Sequence, residues 1–122
     1  SSNAQLFQVT EEITIIDGDS TFYTPDKSYL NVTRIDSKFN GRGKARIILF
    51  DDHNNIKMIL KCKVLGWFYK EGANEDQFTF ALEHDVVGRI EIDTDVVGNE
   101  RKIYLNHNKD KNKFEKILVM NY

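Results

Sequence analysis

The sequence predicts an all-β domain, an antiparallel β-sandwich of about eight short strands, with a small closed or OB-like β-barrel as the alternative. Three observations carry this expectation. Apolar residues recur with period two along most of the chain, as on strands with one buried face. Turn chemistry, in Asp-Gly, Asn-Gly and Pro-Asp steps and in Asn/Asp clusters, returns roughly every ten residues. No stretch of about a dozen residues keeps the i, i+3, i+4, i+7 spacing of an amphipathic helix.

The elements follow in order. Phe7, Val9, Ile13 and Ile15 share one parity, predicting a long first strand with a bulge at Glu11-Glu12. Asp17-Gly18-Asp19-Ser20 and Pro25-Asp26 read as turns, and a strand over 28–36 follows. Asn40-Gly41-Arg42-Gly43 is a flexible turn into Ala45–Phe50, which pairs as a hairpin with Ile56–Leu65 across the polar loop 51–55. Trp67-Phe68-Tyr69 precedes a turn over 71–76. Alternation then marks strands around Phe78, Phe80 and Leu82, around Ile90 and Ile92, and around Ile103 and Leu105. The polar stretch 106–113 leads into a last strand over 114–122, although Phe114, Ile117 and Leu118 also fit one helical face. Asp-Val-Val-Gly occurs at 85–88 and again at 95–98, which reads as two similar turns, since a ten-residue unit is too short for most solenoid repeats.

A chain of 122 residues is long enough for one core without metals or disulfides, and its single cysteine excludes an internal disulfide. No apolar run reaches the roughly 18 residues of a membrane span. Ser1-Ser2-Asn3-Ala4 has the look of a cleaved-tag remnant followed by Gln5 rather than Met, so the expectation is a single β domain over 5–122 taken from a longer protein. Abundant Asn, Lys and Ile suit an AT-rich bacterial genome. A removed leader would place the domain outside the cell or on its surface; otherwise it is cytoplasmic.

The formal net charge of -2 conceals four blocks of alternating sign: -4 over 1–37, +6 over 38–70, -8 over 71–100 and +4 over 101–122. Parity places Lys57, Lys61 and Lys63 on one face of the hairpin, joined by Arg46 from its partner strand, with the apolar Ala45, Ile47, Leu49, Ile56, Met58, Leu60, Cys62 and Val64 facing inward. Trp67 and Tyr69 follow as aromatic anchors. A basic strip beside aromatics suits an acidic or sugar-bearing partner, whereas a pI of about 5.9 argues against nucleic acid. The bland alternative is a solvated lysine face whose stems cover apolar neighbours.

Asp17, Asp19, Asp93 and Asp95 sit in turns where clustered oxygens could hold Ca²⁺, the one cofactor the sequence suggests. Residues 92–100 resemble the Asp-x-Asp loop of calcium-binding C2 domains over that stretch alone, without the aspartate-bearing first loop such domains carry. No phosphate loop, nucleophile elbow, dinucleotide fingerprint or HExxH motif is present. Cys62 falls on the apolar face, and His53, His84 and His107 stand apart from one another at no metal-ligand spacing. Adjacent Glu83, His84 and Asp85 cannot converge on one atom from an extended chain.

The leading expectation is a non-enzymatic binding module of a larger bacterial protein. It would recognise a protein or carbohydrate partner through Arg46, Lys57, Lys61, Lys63, Trp67 and Tyr69. The first alternative is a small acidic inhibitor or immunity-type protein that caps a basic enzyme with Glu71, Glu75, Asp76, Glu83, Glu91 and Asp93, and the second is a calcium-dependent binding domain.

Overall fold

A computed structural model describes residues 4–25, 27–34, 43–95 and 100–121. Among the described residues nine antiparallel strands form one sheet: β1 (Ala4–Ile16), β2 (Asp19–Tyr23), β3 (Ser28–Arg34), β4 (Gly43–Asp51), β5 (Ile56–Phe68), β6 (Gln77–His84), β7 (Gly88–Asp95), β8 (Glu100–Asn108) and β9 (Lys113–Asn121). From β3 onward each strand pairs with the next, and β9 returns to pair with β1. The sheet therefore closes into an eight-stranded barrel with β2 as an extra strand. The all-β expectation holds; the sandwich gives way to the closed barrel named beside it, because β1 pairs along both edges and leaves no second sheet to pack against.

The length of β1 makes closure possible. Its first half pairs with β3 from Ala4 to Val9, and its middle pairs with β9 from Gln8 to Thr14. A register shift between Val9 and Glu11 sits at Thr10, just before the expected bulge, and its bend re-aims the strand. The end of β1 makes a hairpin with β2 through Asp17-Gly18, both at positive φ (49° and 84°), the conformation of a type I′ turn.

β2 went unread in the sequence because all five of its residues are exposed and no burial rhythm marks it. The hairpin of β4 and β5 forms as expected. β9 is a strand, with its helical spacing overridden by pairing to β8 and β1. The turn over 40–42 lies outside the described residues.

Side chains fill the barrel interior. Phe7, Val9, Leu30, Ile47, Leu60, Cys62, Val64, Leu82, Ile90, Ile103, Leu105, Leu118 and Met120 form one buried cluster. Val32, Met58, Phe80 and Ile92 pack against it. An eight-stranded barrel is about wide enough for such filling.

Candidate functional site

The outer wall of β4 and β5 gathers most of the predicted binding residues. Inward positions on β4 are apolar (Ala45, Ile47, Leu49), so the intervening residues point outward, and antiparallel register sets them directly opposite those of β5. Lys44 faces Lys63, Arg46 faces Lys61, and Ile48 faces Ile59. Two like-charge pairs thus stand side by side. Lys44 was missed because the Gly-rich turn was expected to run up to Ala45, whereas β4 begins at Gly43.

Little among the described residues compensates this charge. On one side β3 sets Asn31 beside Ile48 and Thr33 beside Arg46. On the other, the ladder between β5 and β6 begins only at Lys63, opposite Glu83, and Glu83 also has Arg89 across from it on β7. Lys44, Arg46, Lys57, Lys61 and Lys63 form no ion pair with any described residue, and the buried Nε of Arg46 has no hydrogen-bond partner. Because β6 stops short, residues 56–62 of β5 have β4 along one edge and no described strand along the other. Exposed Ile59 and Leu65 interleave with the lysines.

Two bulges redirect residues that simple alternation misplaces. Leu49 pairs with Met58 but Phe50 with Ile56, so Lys57 is extra and Ile56 lies outside, opposite Phe50, rather than in the core. The second bulge, between Val64 and Gly66, contains Leu65. Gly66 adopts φ 154°, a conformation that a Cβ disfavours. Parity flips here: Trp67 is opposite Phe80, on the interior face, and Phe68 is opposite Thr79 on the outer face. Trp67 and Tyr69 are thus carried off the lysine wall. Trp67 is 52% exposed at the barrel rim, where it meets Tyr69 edge-on at 5.5 Å and Phe78 at 5.8 Å.

The acidic residues Glu91 and Asp93 are engaged elsewhere. Both point outward from β7, where the Asp93 carboxylate accepts hydrogen bonds from Thr79 Oγ1 at 2.8 Å and Tyr104 Oη at 3.0 Å. Lys70, at the start of the connection to β6, reaches over to place Nζ 3.0 Å from Asp93, 3.7 Å from Glu91 and 3.7 Å above the Tyr104 ring. Arg89 Nε donates to Glu91 at 2.8 Å. Burial, reinforced by the Asp93 charge and hydrogen bond, pushes the Tyr104 phenol well above its ordinary range. A cleft of about 370 Å³ lies beside this network, lined by Lys70, Phe78, Asp93 and Lys102 among others.

No family model, curated protein or solved structure matches this chain.

Among the described residues no three His, Cys, Asp or Glu side chains come together as a metal site. Asp17 lies 3.0 Å from Lys111, Asp19 is exposed on β2, Asp93 is committed to its network, and the side chain of Asp95 is outside the described set. Burial pushes the Cys62 thiol up to about 11, against use as a nucleophile. His84 Nδ1 accepts from the backbone N–H groups of Val86 and Val87, which closes the turn between β6 and β7.

Proposed function

We propose that this chain is a non-enzymatic binding module that takes an extended acidic segment of a partner protein along the outer wall of β4 and β5. The observation that carries the reading is the pair of directly opposed like charges, Lys44 with Lys63 and Arg46 with Lys61. Opposed like charges cost a sheet ~0.2–1 kcal/mol each, so folding alone gives no reason to keep two of them adjacent. An acidic partner supplies the missing counter-charge. The edge at residues 56–62, which no described strand covers, offers main-chain hydrogen bonds to an added strand, and Ile59 and Leu65 offer apolar contact between the charges. That apolar interleaving favours a protein segment over a sulfated or carboxylated polysaccharide, which would read charge alone.

Fluorescence anisotropy with two probes tests this. A peptide alternating Glu with Val should bind, weaken as salt rises, and lose at least about tenfold in affinity in Arg46→Glu and in Lys61→Glu. Tighter binding of a heparin oligosaccharide than of the peptide, or peptide binding that survives both charge reversals in folded protein, would overturn the reading.

A further inference from the structure

A second surface, independent of the basic wall, lies at β2. This strand has one neighbour, β1; no described strand lies along its other edge, and all five of its residues are exposed. Proteins usually shield such edges with an internal charge, a proline, a bulge or a covering segment. β2 has regular register with β1, no proline inside it, and its only charge at the first position, Asp19. It also carries large apolar groups: Phe22 is 62% exposed and Tyr23 59%.

The outer face beside this edge is apolar across several strands. Phe22 pairs with Ile13, Ile13 with Ile117, and Ile117 with Tyr104, so one lateral row crosses β2, β1, β9 and β8. A groove of about 730 Å³ opens on this row, lined by Ile15, Tyr104, Phe114 and Ile117 and bordered by the Asp17–Lys111 ion pair.

The geometry points to a second copy of this chain as the occupant: we propose that β2 pairs antiparallel with β2 of a partner molecule about a two-fold axis at Thr21. The strand is complementary to itself in that register. Thr21 faces its own symmetry mate, a favoured cross-strand pair. Ser20 and Phe22 face each other, which sets the two Phe22 rings on one diagonal within aromatic reach and joins the two apolar rows end to end. Asp19 faces the hydroxyl-bearing Tyr23, so each lone carboxylate meets a donor and the two carboxylates lie at opposite ends of the pairing. The interface is isologous and stops at two copies.

Sedimentation and disulfide trapping test it. The wild-type chain should show a reversible monomer–dimer equilibrium by about 1 mM, the weak end of association. Phe22→Lys, at a solvent-exposed position, should weaken the dimer at least about tenfold with an unchanged melting temperature. Under mild oxidation Thr21→Cys should form a covalent dimer much faster than Ser20→Cys or Asp110→Cys, because only residue 21 meets itself across the axis; buried Cys62 stays silent in every variant. A monomer throughout, a dimer indifferent to Phe22→Lys, equal trapping at all three positions, or a series of species running past the dimer would each overturn the proposal.

Discussion

Lys61→Glu should make the fold more stable and, on the proposed function, abolish partner binding. In the native barrel Lys61 stands directly opposite Arg46, next to the Lys44–Lys63 pair, and none of the four forms an ion pair with a described residue, Glu83 standing across from Lys63 alone. Substituting Glu replaces a cross-strand repulsion of ~0.2–1 kcal/mol with an attraction of similar size, a swing of ~0.4–2 kcal/mol. Lys61 is exposed, so solvent screening puts the lower half of that range forward. For a chain of this length 1 kcal/mol corresponds to about 4 °C, so a swing of ~0.4–1.2 kcal/mol gives a rise in melting temperature of ~1.5–5 °C. Calorimetry at low salt reads the shift directly. Salt provides the internal control: raising it screens the repulsion, so the wild type should gain stability relative to Lys61→Glu and the gap should narrow. A variant no more stable than wild type at low salt, or a gap indifferent to salt, would refute the claim that these charges oppose the fold.

The acidic network should respond with the opposite sign. Asp93→Ala strips the acceptor from Thr79, Tyr104 and Lys70 and should cost ~1–3 kcal/mol, read by thermal melting, whereas Tyr104→Phe should cost about 1 kcal/mol. With its thiol raised to about 11, Cys62 should resist alkylation near pH 8 in the native state and react readily once the chain is unfolded; equal rates would contradict its burial. Asp51 is held below the ordinary carboxylate range by the backbone and side-chain amides of Asn55, followed by the backbone N–H of His53. Its contribution is thus present above the unfolded Asp value of about 3.9 and lost as pH falls through the lower folded value, so the protection of the Asn55 amide relative to its intrinsic exchange rate should fall on acidification and stay level in Asp51→Ala.

Local alternation was legible on β4 and β5 between their bulges, but not across the bulge in β1, beyond which Ile13 and Ile15 lie on the outer face rather than with Phe7 and Val9. Ala45, Ile47 and Leu49 on β4, with Met58, Leu60, Cys62 and Val64 on β5, fall as period two demands, and this puts Arg46, Lys61 and Lys63 outside. Closure was not legible, because the pairing of β1 with β9 joins the two ends of the chain and leaves no local mark. Bulges broke the inference for Ile56 and for the two aromatic anchors: one extra residue at Lys57 or Leu65 flips every side chain beyond it, and lysine and leucine announce no bulge. The Lys70 network was hidden for another reason. Its partners lie on β6, β7 and β8, and only the path of the connection after Phe68 brings the ammonium over them.

The bulge at Leu65 and the short ladder of β6 together explain why the +6 and -8 blocks fail to cancel although they occupy neighbouring strands. β5 pairs with β6 only from Lys63 to Phe68, so the half of β5 that holds Lys57 and Lys61 runs beyond its acidic neighbour, and along this ladder opposite charges face each other only at Lys63–Glu83. Past Leu65 the outer face passes to Phe68, and it is Lys70 that turns back over Glu91 and Asp93. The acidic block thus draws counter-charge from Lys70 and Arg89 and becomes part of the barrel's own architecture. Lys44, Arg46, Lys57, Lys61 and Lys63 form no ion pair with any described residue, and the repulsion between the opposed pairs persists in the folded molecule. A Leu65 deletion would remove the bulge yet keep Gly66 opposite Ala81 and Trp67 opposite Phe80, so the aromatics should stay off the lysine wall, whereas straight pairing with Leu65 retained would carry Trp67 onto it. The bulge, by taking Leu65 out of the ladder, therefore keeps the aromatic rim and the cationic wall as separate surfaces.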